Sequence, residues 1–297
     1  MIWETVEIIA TPVLAFLIGI FFLGLSRKIM ARIHWRYGPP ITQPIIDIIK
    51  LFYQRSVSHG VIFDMGVLLS LAGSIAVVLL IPLGGMHALS SSGGLLLILY
   101  IMLLMPLGVA LSSGEGANPN ISIGISRKLI LSLGYEVPLI LILLTLMTRY
   151  NTISIAEIVS QQEATGWAMF SVPLFISGIA YFLILPAILG LKPFDVVSAL
   201  QGISSGPEVE YGGKYLALLT IDHAFALFIG IALFVDLFLG GASNPLFFFI
   251  KMLLVFILCL FINAVFPRFR IDQAIKYLWK WPTALALAGL IATSFMW

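Results

Sequence analysis

Several ionisable side chains fall inside apolar stretches long enough to cross a bilayer, where a charge at mid-depth costs about 2.5 to 3.5 kcal/mol on insertion scales. Glu136 stands nine residues beyond Arg127, roughly 13 Å along a helix axis and well below the membrane surface. Asp222 and His223 are adjacent in a later apolar run, and Asp236 lies about 21 Å further along the same helix. Lys251 reaches a comparable depth across a short turn, so Asp236 and Lys251 are expected to form a buried pair. That pair would serve equally to neutralise two charges or as a step on an ion path. Carboxyl and imidazole groups in a low-dielectric surrounding take up and release protons as nearby charge changes. Their chemistry is proton or cation transfer, and Glu136 is expected on a proton path. No residue is assigned a catalytic role. The single cysteine, Cys259, sits in an apolar run, can make neither an intrachain disulfide nor a cluster site, and is read as core packing. No His/Cys spacing points to a metal ion.

The elements that must hold these groups are membrane helices. The chain has 297 residues, 60% hydrophobic and only 10% charged, against about 25% charged for soluble domains. Its net charge of +2 says little about partners, because the placement of charge matters more than its sum. The fold class is an all-α integral membrane protein in a single domain, 1–297, with about eight spans near 8–24, 61–83, 94–112, 129–148, 172–191, 215–239, 246–266 and 277–296. Glu4 and Glu7 precede the first span while Arg27 and Lys28 follow it, which marks a retained span rather than a cleaved signal.

Basic residues concentrate in the connections near 26–60, 113–128, 192–214 and 267–280. These loops are therefore placed in the cytoplasm of a plasma-membrane protein, with both termini outside. Among outer connections, 84–93 is Gly/Ser-rich and 240–245 is tight, while 150–171 is long enough for a short surface helix near Ile153–Ile158. Glu115, Glu157 and Glu163 are read as solvated loop residues.

The first basic connection contains a hinge between membrane and water. Gly38, Pro39 and Pro40 forbid a continuing helix. After them Ile41, Ile45, Ile48, Ile49 and Phe52 recur at helical spacing, with Gln43, Asp47 and Lys50 on the remaining face. This pattern predicts a short amphipathic helix on the membrane surface.

Four ordered stretches carry a resemblance. Arg36, Gly38 and Pro39 lead to Gln43, Pro44, Asp47, Lys50, Leu51 and Phe52. Gly124 and Arg127 lead to Tyr135-Glu136-Val137-Pro138, preceded by Ala117-Asn118-Pro119. Pro193-Phe194-Asp195 leads to Gly206-Pro207 and Glu210-Tyr211 with Gly213. Pro267-Arg268 leads to Arg270, Asp272-Gln273 and Trp281-Pro282. Together they resemble the membrane subunit that anchors the peripheral arm of complex I, NADH:quinone oxidoreductase, and of its relatives in energy-converting membrane-bound NiFe hydrogenases. The short path from Pro40 to Gln43 resembles the hydrogenase branch, since respiratory members carry a longer first loop.

Departures refine the resemblance. Respiratory members have a glutamate cluster where this chain has Ser198, Leu200 and Gly202, and their sixth-helix glutamate aligns with His223, leaving Asp222 one position away. These changes point to a divergent branch such as the archaeal membrane-bound sulfane reductases. The resemblance implies a subunit that docks the redox arm through Arg36, Arg55, Arg127, Arg268 and Arg270, and couples electron transfer to proton or sodium movement. Asp195, Glu210, Glu136, Asp222 and His223 would be the relay. It also implies partners: an iron–sulfur-cluster subunit and a hydrogenase-like large subunit on the cytoplasmic side, antiporter-like membrane subunits, and the lipid bilayer, with no nucleic acid. Iron–sulfur clusters, with NiFe in a hydrogenase, would belong to those partners and no cofactor to this chain alone. Two other readings are a quinone-site subunit of complex I proper and a stand-alone ion-coupled transporter using Asp222, Asp236 and Lys251. The absence of an evident internal repeat counts against the transporter.

Overall fold

The computed structural model describes residues 2–89, 94–116, 118–198, 200–203 and 205–295. Ala117, the tail of the Gly/Ser-rich connection at 90–93 and Met296 lie outside the described residues, as do the side chains of Glu4 and Leu200. The described chain is a helical bundle. In order the helices are α1 (Ile2–Ile33), α2 (Gln43–Phe52), α3 (Val61–Leu80), α4 (Leu95–Met102), α5 (Leu104–Ser113), α6 (Pro119–Tyr150), α7 (Ile155–Thr165), α8 (Val172–Ile188), α9 (Leu200–Ile203), α10 (Lys214–Phe238), α11 (Pro245–Val265) and α12 (Ile271–Phe295). Among the described residues the only β pairing is two isolated bridges, Leu83 with Met86 and Gly94 with Ser154.

Among the described residues, six spans are long and apolar enough to cross a membrane: α1, α3, α4 with α5, α6, α10 and α11. The other two expected spans also fold as helices, but α8 has 17 residues and α12 carries Asp272, Lys276 and Lys280 in its first half. The outward face of α11 shows why lipid is the natural surrounding. Leu246, Ile250, Leu254, Leu258 and Phe261 are exposed along one stripe, while Phe248, Met252, Phe256 and Cys259 are buried on the other. A row of that kind facing water would be an aggregation surface; facing acyl chains it costs nothing.

Helix ends depart from the apolar runs for local reasons. Helix α1 continues past Gly24 to Ile33, where Lys28 and Arg32 lie over the Tyr37 ring at 4.7 and 4.8 Å from its centroid. Long basic side chains reach the interface while their stems stay apolar. The expected third span is broken at Leu103 between α4 and α5. Pro106 has no N–H to offer the Met102 carbonyl, which loosens the turn. The expected surface helix near Ile153–Ile158 is α7, which also carries Glu157 and Glu163, so these two are helical rather than loop residues.

Helix α10 is the centre of the bundle. It packs against α1, α2, α3, α7, α8 and α11, and is buried almost continuously from Ala224 to Phe238. Without a hydrophobic drive inside a bilayer, such contacts rest on close packing and internal hydrogen bonds. Tyr181 is fully buried and donates to the Gly230 carbonyl at 3.1 Å. Helices α3 and α5 approach until a Cβ on Gly66 would lie 2.5 Å from the Ser112 nitrogen, and one on Gly108 2.5 Å from the Ser70 nitrogen. Both positions therefore require glycine.

Candidate functional site: a cavity from the basic rim to a buried carboxylate

A cavity of about 640 Å³ opens at the end of the bundle where the basic connections gather. Helix α2 forms one wall and presents Asp47 and Lys50 to it, with Gln54 just beyond its end, while Ile45, Ile49 and Phe52 face away and are exposed. The amphipathic pattern read from the sequence is realised with Asp47 toward the cavity and Ile48, from the apolar set, buried against Ile20 of α1 and Ala217 and Ala224 of α10. Arg27 of α1 donates to Asp47 at 3.2 Å, tying α2 to α1, and Gln43, one turn earlier on α2, donates to the same carboxylate at 2.8 Å. Opposite, the loop after α8 contributes Asp195 and Ser198. Arg268 donates to Asp195 at 2.5 Å and Ser198 donates to it at 2.9 Å. Thus the first and last basic connections each clamp one carboxylate of the rim.

The inner end of the cavity reaches α10. Asp222 is 6% exposed and accepts hydrogen bonds from Ser70 at 2.8 Å and from Ser74, both on α3. Each hydroxyl has a second acceptor in reach: the Met105 carbonyl, 3.1 Å from Ser70 Oγ, and the Ser70 carbonyl, 3.1 Å from Ser74 Oγ. With Asp222 ionised, both hydroxyl protons go to the carboxylate. With Asp222 protonated, it donates to one serine, which returns its own proton to the backbone. A proton can therefore come and go by hydroxyl rotation alone. His223, one residue on, points into the cavity and is accessible there.

Two charged lining residues, Lys128 and Glu208, were not singled out from sequence. Lys128 on α6 shares a cavity face with Leu131, Ser132 and Tyr135. Beside Arg127 it reads as a topology charge, although the spacing of 128, 131, 132 and 135 is that of one helix face. Glu208, in the 3₁₀ turn Gly206–Glu210, also lines the cavity. Although it is exposed at the mouth, partial desolvation raises its pKa, Lys128 acts against that shift, and Asp195 adds to it.

Other sequence candidates lie off this cavity. Glu136 is half-buried on α6 and is not among the lining residues, whereas its neighbour Tyr135 is. Glu210 pairs with His59 at 3.3 Å. Tyr211 is buried and its hydroxyl meets Ser112 and, at 3.0 Å, Ser113. Burial raises the tyrosine's pKa and those two serines pull it back. Arg127 donates to the Val196 carbonyl at 3.4 Å. Arg36 and Arg55 are exposed, and Arg270 is exposed and 3.3 Å from Asp272. Gly38 adopts φ +72°, and Pro39 follows it in the connection to α2. Glu115 accepts from the Phe63 N–H at 3.0 Å, closing the start of α3. The expected buried pair is not formed. Lys251 instead donates to the carbonyls of Leu239 and Gly241 at 2.7 and 2.5 Å, and both Asp236 oxygens lack a hydrogen-bond partner. The open carbonyls at the end of α10 outcompete the carboxylate for the ammonium. Among the described residues no group of three or more His, Cys, Asp or Glu is placed to hold a metal ion.

The chain is similar to known proteins over nearly its whole length. A chain in the structure titled "Structure of the membrane-bound sulfane sulfur reductase (MBS), an archaeal respiratory membrane complex" superposes with a TM-score of 0.93 at 38% identity, covering 98% of this chain and 99% of that one. A subunit of the NADH-quinone oxidoreductase of Dehalococcoides mccartyi strain CBDB1 is 30% identical, over 93% of this chain and 82% of the relative. NADH-ubiquinone oxidoreductase chain 1 of Zaedyus pichiy is 32% identical, over 94% and 92%. The family model described as NADH dehydrogenase matches residues 6–294, and with that match spanning nearly its whole length this chain belongs to the NADH dehydrogenase family.

Proposed function

We propose that the chain is the membrane anchor of a redox-driven complex of the sulfane reductase or hydrogenase type, and that it couples electron transfer in docked partners to proton or sodium movement. The observation that carries this reading is the cavity joining the basic rim to Asp222. A charge change at the rim acts along that cavity on a carboxyl with a ready hydrogen-bond exchange. The higher identity and two-way coverage of the sulfane reductase chain favour that branch over the quinone-reducing one.

In this reading the basic rim faces the cytoplasm of a plasma-membrane protein, both termini lie outside, and iron–sulfur clusters belong to a docked subunit beside a hydrogenase-like large subunit. Asp195 and Glu208 sense the rim charge, Asp222 and His223 take up the response, and Glu136, on the outer flank of α6, passes it toward antiporter-like neighbours. Glu210, held by His59, sets the loop that carries Glu208. Asp222→Asn in the intact complex, reconstituted into liposomes, is the test. Electron transfer is expected to continue while ion uptake per electron collapses. Undiminished uptake in this variant would show that Asp222 is not on the path.

A further inference from the structure

At the end of the bundle opposite the large cavity, a second cavity of about 120 Å³ lies beneath the turn joining α10 and α11. Asp236 forms part of its wall and is 1% exposed, with no hydrogen bond to either carboxylate oxygen. Buried carboxylates are normally bonded or paired, so this one lacks a partner that its surroundings must accept. Lys251 does not supply it. The ammonium is occupied by the carbonyls of Leu239 and Gly241 and lies 4.8 Å from the centroid of the Trp167 ring. Leu239 caps α10 and Gly241 lies in the turn after it, so the ammonium is held by backbone oxygens and acts on Asp236 only through space, with no direct ion pair.

The remaining groups suit a hard cation. Ser160 and Ser243, both hydroxyl residues, are part of the lining, and Glu163 stands at the exposed mouth. Ser160 donates its own proton to the Glu157 carbonyl at 2.9 Å, which leaves its lone pairs facing elsewhere. The space exceeds the ~10–15 Å³ that one water needs, so a partly hydrated ion fits. Gly241 keeps the carboxylate accessible, since a Cβ there would come within 2.9 Å of Asp236 Oδ1. One buried carboxylate balances one positive charge; a calcium site would need several such oxygens. The titratable groups around Asp236 are Glu163, His87, Tyr181 and Lys251, with Glu7 accepting from the His87 backbone N–H at 3.1 Å.

We propose that this cavity binds a small monovalent cation, with the Asp236 carboxylate as its charged ligand and entry from the end of the bundle opposite the basic rim. The site deepens the ion-coupling reading above, but its occupancy can be measured without turnover. In the purified complex, dicyclohexylcarbodiimide labels protonated carboxyls in apolar sites, and peptide mass spectrometry locates the adduct. Labelling at Asp236 is expected to fall several-fold in sodium chloride relative to choline chloride at matched ionic strength, and to vanish in Asp236→Asn. Equal labelling in the two salts would overturn the proposal and leave a plain protonatable carboxyl. Should Asp236 take no label in either salt, thermal stability decides. A sodium-specific rise in Tm in the wild-type complex that Asp236→Asn loses supports the site; no such rise overturns it. A sodium effect that survives in Asp236→Asn assigns the ion elsewhere and likewise overturns it. Failure of coupling in Asp222→Asn would leave these outcomes unchanged.

Discussion

The carboxylates of this protein differ in what holds them, and the difference decides their chemistry. Asp195 is fastened by Arg268, Asp47 by Arg27 and Gln43, and Asp222 by two serine hydroxyls with alternative acceptors. Only the last arrangement exchanges a proton without separating an ion pair, which is why Asp222 rather than a rim acid is proposed as the responsive group. Glu208, exposed at the cavity mouth, is the rim acid whose ionisation is opposed by partial desolvation, and it gives a pH signature. A carboxyl with a raised folded pKa keeps a proton that the unfolded chain has released. Its contribution is full below the ordinary value near 4.5 and is lost as pH rises through the folded value. Wild-type Tm is therefore expected to decline with pH above that point more steeply than in Glu208→Gln, the two converging on the acid side. Thermal unfolding of the detergent-solubilised protein across that range checks the sign, and parallel curves would remove Glu208 from the pH response. Asp222 and His223 were legible as candidates because ionisable residues in apolar runs declare themselves. The serines were not, since Ser70 and Ser74 lie about 150 positions away in sequence.

At the level of elements, the positions of α3 and α5 set the geometry of Asp222. Their approach through Gly66 and Gly108 brings Ser70 within reach of both the Met105 carbonyl and the carboxylate. Gly66→Ala would push the helices apart, at a cost of about 1–3 kcal/mol for overpacking. Because Ser70 and Ser74 follow on the same helix, the hydroxyls should also shift from Asp222. Expected together are a lower Tm and a partial loss of ion uptake per electron in the assembled complex; full coupling in a destabilised variant would separate the packing from the carboxylate. The apolar runs made the long helices readable, and the Gly-Pro-Pro hinge with its isoleucine spacing made α2 readable. The break at Leu103 was hidden, because the run from 94 to 112 is uniformly apolar and hydropathy carries no record of a missing backbone donor at Pro106. The Asp236–Lys251 pair failed for a related reason. Depth along two helices matched, but the carbonyls that close α10 are invisible to side-chain reading.

For the whole molecule, the basic rim has the composition of a docking surface as well as a topology signal. Trp35, Tyr37 and Tyr53 are 98%, 78% and 89% exposed, among Arg36, Arg55 and Lys50. Aromatic and arginine side chains dominate binding energy at protein interfaces. The rim cations fall into two sets with different expected behaviour. Arg27 and Arg268 hold carboxylates of the cavity mouth, so their loss disturbs the site itself. Arg270, 80% exposed with only a surface contact to Asp272, and the exposed Arg36 are free to meet a partner. Surface pairs of this kind contribute roughly 0–1 kcal/mol to the chain's own stability. The double reversal Arg36→Glu with Arg270→Glu is therefore expected to leave Tm nearly unchanged while the cluster-bearing subunit is lost on purification, more completely as salt is raised. The ratio of co-purified subunits at low and high ionic strength measures this. Retention at wild-type levels in both would place the docking energy on the aromatic residues, and Trp35→Ala would then release the partner without a salt dependence.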